Sequence, residues 1–263
     1  MVNLRKVLVV FIGIYIAICT FLYFTQEQFI FHPTTYPEDF TFNFDNNFEE
    51  VFLDTKDGVA LNAVHFKSDK KLGAVLFLHG NAGSISGWGM TANVYVENGY
   101  DIFYLDYRGF GKSQGSIHSQ SELLDDAQLA YDFLKKQFSE DQIILSGTSL
   151  GSGIAAILAS KNNPKKLILN SPYSSLASLI TDKVFFYPKM LIKYRLETDK
   201  HLAAVKCPIY IIHGDQDRTI PHSHSLKLKK KYDRVLLTIL KGAGHVNFMN
   251  RPDYLERVKQ ILR

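Results

Sequence analysis

Apolar positions along the chain fall into three regimes. The first is a continuous block from Val7 to Phe24, apolar apart from Thr20 and two tyrosines, with Arg5-Lys6 before it and Gln26-Glu27 after. Eighteen residues of helix reach about 27 Å, enough to cross the hydrocarbon core of a bilayer. A helix on a soluble core would keep a polar face, and this block has none. A cleavable secretory signal would be shorter and end in small residues, whereas this block ends Thr20-Phe-Leu-Tyr-Phe24. Nor is there a lipoprotein site, because Ile18 precedes Cys19. The block therefore predicts an uncleaved signal anchor over residues 7–24. Arg5-Lys6 assign residues 1–6 to the cytoplasm, since no Lys or Arg follows until Lys56. The remainder is expected on the extracytoplasmic side, in a periplasm or a lumen.

The second regime has period two. Residues 25–47 form a connector in which Phe40, Phe42 and Phe44 alternate, predicting an extended segment laid on the following domain. Phe48–Leu53 and Val59–Phe66 then flank Lys56-Asp57-Gly58, a hairpin signal. In the third regime, short apolar runs alternate with helical patterns. Strands are expected at Ala74–Leu78, Ile102–Leu105, Ile143–Ser146, Leu167–Asn170, Ile209–His213 and Val235–Leu240. Helices are expected near Gly87–Asn98, Ser121–Phe138, Ser152–Ser160, Ser223–Tyr232 and Asp253–Leu262. This order predicts one α/β domain over 48–263, a mostly parallel sheet flanked by helices on both faces. Residues 172–206 break the alternation and are rich in Leu and aromatics. They read as a short helical cap insertion over the strand C-termini, where open α/β sheets bind ligands.

Composition adds little. The chain has 263 residues and a formal net charge of +4. Its densest basic run, Lys227–Lys231, suits a solvated helix face, so no nucleic-acid partner is expected. Cys19 and Cys207 make no disulfide framework.

The chemistry lies in Ile143-Ile-Leu-Ser-Gly147-Thr-Ser149-Leu-Gly151 and the apolar helix after it. Strand, Gly-x-Ser-x-Gly and helix together are the context of a nucleophile elbow. The glycines omit side chains that would collide where strand and helix meet, and the turn presents the Ser149 hydroxyl. A neutral hydroxyl is a poor nucleophile and needs a base, itself oriented by an acid. His245 follows the last expected strand in Lys241-Gly-Ala-Gly-His245 and is the expected base. Rival histidines at positions 79, 118, 213, 222 and 224 do not follow that strand. Asp217, after Ile209–His213, is the expected acid, with Asp215 the alternative two residues earlier. An oxyanion hole needs two aimed N–H donors. The expected donors are the main chains of Leu150 and of Asn81, the latter in His79-Gly-Asn-Ala-Gly83. Two other motifs are set aside. Gly109-Phe-Gly-Lys-Ser113 lacks the leading glycine of a phosphate loop, having Asp106 there, and reads as a turn braced by Asp106 and Arg108. His222-Ser-His224 lacks further metal ligands at suitable spacing and reads as surface histidines.

His79-Gly-Asn-Ala-Gly83, Asp106-Tyr-Arg-Gly-Phe-Gly-Lys-Ser113, Gly147-Thr-Ser-Leu-Gly151, His213-Gly-x-x-Asp217 and Gly244-His245 occur in the order found in the α/β-hydrolase superfamily. With its anchor and short cap, the chain resembles the Bem46/ABHD13-like membrane-anchored serine hydrolases, from about Val51 to the C-terminus. The resemblance implies a serine hydrolase acting on esters or thioesters, with Ser149, Asp217 and His245 as its triad. No cofactor or metal is required, and no obligate protein partner is inferred. The apolar cap and anchor point to acyl or lipid-like esters. Two other readings stand beside this one: a peptidase or amidase on the same fold, and a hydrolase-like protein kept for interactions.

Overall fold

The computed structural model describes residues 3–263. Eight strands form one sheet: β1 (Phe48–Asp54), β2 (Ala60–Phe66), β3 (Gly73–Leu78), β4 (Tyr100–Leu105), β5 (Ile143–Thr148), β6 (Lys166–Asn170), β7 (Ile209–Gly214) and β8 (Val235–Leu240). Their spatial order is β1-β2-β4-β3-β5-β6-β7-β8. β2 pairs antiparallel with β1 and β4, and every other neighbour pair is parallel. The hairpin turns at Gly58, whose φ of +81° favours a residue without a Cβ. β3, β4 and β5 are buried along their whole length, as central parallel strands must be when helices cover both faces.

The longer helices are α1 (Leu4–Ile30), α2 (Gln120–Lys135), α3 (Leu150–Lys161), α4 (Leu176–Lys183), α5 (Ser223–Lys231) and α6 (Pro252–Leu262). The pleat of β3 divides the core. Leu76 and Leu78 face α2 and α3 through Leu123, Ala127, Ile154 and Leu158. Val75 and Phe77 face the opposite layer, with Tyr95 and the α6 residues Tyr254, Val258 and Ile261. A reciprocal cap between Ser119 and Glu122 starts α2.

Two elements differ from the sequence pattern. The helix expected over Gly87–Asn98 is split into Ile85–Trp88, a 3-10 turn at Gly89–Thr91, and Asn93–Val96. A Cβ at Gly89 would collide with the ring of Phe44, so the close approach of the connector requires glycine at that turn. The N-terminal helix also runs past Phe24 to Ile30. Its last turn is held by the cap: the Lys193 amide donates to Gln26 Oε1 (2.9 Å), and Lys193 Nζ meets Glu27 Oε1 at 3.0 Å.

Beyond α1, the connector lies on the domain. His32 and Pro33 pair in parallel with Ala82 and Gly83. Phe42 stacks on Phe44, which meets Phe66 edge-on at 4.9 Å. The 172–206 insertion contains α4, a 3-10 turn at Lys189–Leu191 and a short helix at Thr198–His201.

This packing sets a stability contrast. Phe77 is fully buried against Trp88, Tyr95 and Tyr104, and Phe77→Ala should cost about 3–5 kcal/mol in denaturant unfolding. Leu226 on α5 is half exposed, and Leu226→Ala should stay within about 1 kcal/mol.

Candidate active site

Between β5 and α3 the chain turns through Ser149 with φ +52° and ψ −115°. This left-handed conformation costs a side-chain-bearing residue about 1–3 kcal/mol and persists only where surroundings enforce it. The enforcement is visible. The Ser149 amide donates to Asn170 O at 2.9 Å, while Ser149 O accepts from the Ser152 amide (3.0 Å) and hydroxyl (2.6 Å). A Cβ at Gly147 would strike Gly151 and Ala155, and one at Gly151 would strike the carbonyls of Leu78 and His79. Both positions therefore require glycine. Gly153 is equally confined, by the ring of Tyr173, whose hydroxyl donates to Leu150 O at 2.9 Å.

Ser149 Oγ lies 2.9 Å from His245 Nε2, and His245 Nδ1 lies 2.6 Å from Asp217 Oδ2. A proton on Nδ1 directed at Asp217 leaves Nε2 free to accept from the serine hydroxyl. Asp217 is fully enclosed. Burial disfavours its charge, but hydrogen bonds from His213, His245 and the Ile220 amide outweigh that penalty and hold its carboxyl below the usual carboxylate range. Its other oxygen accepts from the Thr219 and Ile220 amides, each at 2.8 Å. The alternative acid, Asp215, points elsewhere and accepts from the Gly242 amide at 2.7 Å. The His245 loop is held from below by Ser171 Oγ, which donates to His245 O at 2.6 Å.

His213 was legible only as a rival base. It is instead a buried second donor to Asp217, with Nε2 at 3.1 Å from Oδ2 and Nδ1 at 2.6 Å from Ser225 Oγ. The four-residue spacing of His213 and Asp217 was the available signal.

The His79–Gly83 loop passes directly beside the serine, for a Cβ at Gly80 would sit 3.7 Å from Ser149 Cβ. Its conformation is fixed from beneath. His79 Nδ1 donates to Gly80 O at 2.7 Å, and Tyr107 OH donates to His79 O at 2.8 Å. His79 Nε2 lies 3.2 Å from Asp106 Oδ1, which accepts from the Ile85 amide. Burial raises the Asp106 pKa, so this carboxyl holds a proton more readily than an exposed one. The Asn81 side chain turns away to Ile30 O (2.8 Å), and Asn81 O accepts from the His32 amide (2.8 Å). Leu150 is the first residue of α3, so its amide has no intrahelical acceptor.

Further sequence readings are resolved by their surroundings. Arg108 braces its loop through ion pairs to Asp126 (2.7 Å) and Asp57 (2.5 Å). His224 is not a surface histidine. It is buried, with Nδ1 2.9 Å from Ser174 Oγ, because α5 packs that face against the start of the cap. A cleft of about 520 Å³ borders the Gly83 loop and the His245 loop, lined by Thr34, Ser84, Trp88, Val246 and Met249 among others. Trp88 reaches Gly80 from this side and had no sequence signal.

Residues 69–195 match the family described as serine aminopeptidase, S33. YfhR of Escherichia coli is 30% identical over 239 residues, spanning 86% of this chain and 82% of that protein. The lysophosphatidylserine lipase ABHD12 of Danio rerio is 26% identical, spanning 86% of this chain and 72% of that one. A solved esterase of Pyrococcus furiosus superposes with a TM-score of 0.69 at 19% identity, over 89% of this chain and 97% of its own. On sequence, fold and the geometry at Ser149 together, the chain belongs to the α/β-hydrolase superfamily.

Proposed function

We propose that the protein is a membrane-anchored serine hydrolase that cleaves carboxylic esters or thioesters, with Ser149, His245 and Asp217 as its triad. The observation that carries this reading is the continuous hydrogen-bond relay from Oγ through the imidazole to an ionised, enclosed carboxylate. In the first step His245 Nε2 takes the hydroxyl proton as Ser149 Oγ attacks the acyl carbonyl. The amides of Asn81 and Leu150 hold the oxyanion, and Asp217 stabilises the imidazolium. His245 then returns the proton to the departing alcohol or thiol, leaving an acyl-serine. Water, deprotonated by the same nitrogen, attacks that acyl group and restores Ser149 and the free acid.

In this reading residues 7–24 span the membrane, 25–47 connect, and 48–263 form the hydrolase on the extracytoplasmic side with 172–206 as cap. The apolar helix supports the anchor, and the lipase and esterase relatives support acyl substrates. The aminopeptidase family description favours a second reading, peptide hydrolysis. An aminopeptidase needs a counter-charge for a free ammonium, whereas the cleft bordering the Gly83 and His245 loops is lined by hydroxyl, amide and apolar groups.

Wild-type protein in membranes should label with a fluorophosphonate, and Ser149→Ala should abolish labelling and lower p-nitrophenyl ester turnover by roughly four to six orders of magnitude. No labelling of folded wild type would refute the catalytic reading and favour an interaction role. Preference for aminoacyl amides over esters would favour the peptidase. Alkaline carbonate extraction separately tests the anchor, which predicts that the chain stays with the membrane pellet.

The two aspartates should separate cleanly. Asp217→Asn should lower kcat by about 10⁴, as expected when the tautomer-setting acid is lost, while Asp215→Asn keeps turnover within a few-fold. A depressed folded pKa means that the Asp217 charge stabilises the fold above the unfolded value of about 3.9 and ceases to do so as pH falls through the folded value. The stability gap between wild type and Asp217→Asn, read by denaturant unfolding, should therefore be full at neutral pH and narrow below about pH 4.

A further inference from the structure

The cap carries an apolar tip that no part of the domain covers. Phe185 is 89% exposed and Met190 83%, with Phe186 between them partly exposed. On a water-facing surface such a cluster would be costly and prone to association. Its place beside α1 gives it an occupant. Tyr15 OH donates to Phe186 O at 3.1 Å, and Cys19 is buried against Ala177, Tyr187 and Ile192 of the cap. The first charge of α1 after the apolar block is Glu27, twelve residues beyond Tyr15 and so about 18 Å further along the helix. The tip therefore stands level with the inside of the apolar block.

The charges are arranged to match. Lys189, the charged residue of the tip, turns back to Ser178 Oγ at 3.2 Å. Lys193 sits at the base on Glu27, 4.9 Å from the centre of the Tyr23 ring. Between helix and tip lies an apolar cavity of about 370 Å³, lined by Tyr15, Cys19, Tyr23, Pro188 and Leu191 among others. The depth of the candidate active site follows from the same helix. Asn81 is bonded to Ile30 O, six residues or about 9 Å beyond Phe24, which is the level of the lipid headgroups and ester carbonyls.

We propose that the cap segment Val184–Leu191 is immersed in the leaflet beside α1, and that Ser149 takes its ester from an acyl lipid whose chain remains in that leaflet. This deepens the proposed function and rests on its anchor and hydrolase readings. The bilayer supplies the cover that the tip lacks, and the cavity beside Tyr15 and Cys19 receives part of an acyl chain. An ester at headgroup depth then needs no extraction into water to meet the serine.

The test uses the full chain in phosphatidylcholine nanodiscs. Emission of Phe185→Trp, read above the wild-type signal of Trp88, should be quenched by lipids brominated on the acyl chain and little by aqueous acrylamide. Quenching by acrylamide alone would overturn the immersion. The double variant Phe185→Ser with Met190→Ser should hydrolyse p-nitrophenyl acetate as wild type does. Its kcat/KM for a long-chain monoacyl ester held in the disc should fall at least tenfold. Unchanged rates on both esters, or a parallel fall on both, would overturn the substrate assignment. Wild type that hydrolyses neither ester would refute the hydrolase reading itself, and the quenching would still decide where the tip lies.

Discussion

The structure depends most on how closely α3 approaches the sheet. Gly151 lies so near the ends of β3 and its following loop that a methyl group there would strike the Leu78 and His79 carbonyls. That contact joins two sites in one stroke. It drives the first turn of α3, with the free Leu150 amide, against the loop that carries Asn81. It also forces Ser149 into its left-handed turn, whose cost the Ser152 and Asn170 hydrogen bonds offset. A chain with alanine at Gly151 would have to move α3 off the Leu78 and His79 carbonyls, and Ser149 would part from the His79–Gly83 loop.

Around this contact the polar groups are arranged so that burial works with ionisation in one place and against it in another. Asp217 and Asp106 are both enclosed carboxyls next to a histidine. Asp217 receives four donors, two imidazoles and two amides, and remains charged despite its burial. Asp106 accepts from one amide, the neighbouring imidazole directs its proton to Gly80 O, and burial prevails. The number of donors decides the outcome. In the proposed mechanism a charged Asp217 would stabilise a transient imidazolium on His245. Asp106, which holds its proton more readily than an exposed carboxyl, braces the His79 loop from beneath.

What could be read in the sequence was whatever local chemistry decides. All eight strands form within two residues of where apolar runs and turn residues placed them, because central strands are buried on both faces regardless of their neighbours. The meeting of Ser149, Asp217 and His245, the proposed triad, was legible because the proposed chemistry restricts residue type and each follows a strand C-terminus. The unread features depend on partners distant in sequence. His224 is buried because Ser174 lies fifty positions away in sequence but adjacent in space. The segment 87–98 turns at Gly89, where the Phe44 ring packs on the space a Cβ would fill. α1 extends past Phe24 because the cap supplies partners for Gln26 and Glu27. No periodicity within those segments carries that information.

The extension of α1 bears on how the His79–Gly83 loop is held. Gly80 and Gly83 give the loop the freedom to approach a substrate, and the same freedom would let it wander. Beneath it, His79 and Tyr107 fix the first residues. Above it, the connector adds a short parallel ladder at Ala82–Gly83, and the Asn81 amide side chain closes on the last carbonyl of α1. The asparagine side chain is thereby committed to structure, so any donor Asn81 contributes to chemistry must be its main-chain N–H. The bond to Ile30 O accounts for a polar side chain at position 81. It also means that the N-terminal helix is bonded to the loop it appears merely to precede. A rotation of α1 relative to the domain would have to break the Asn81 bond or carry the loop with it.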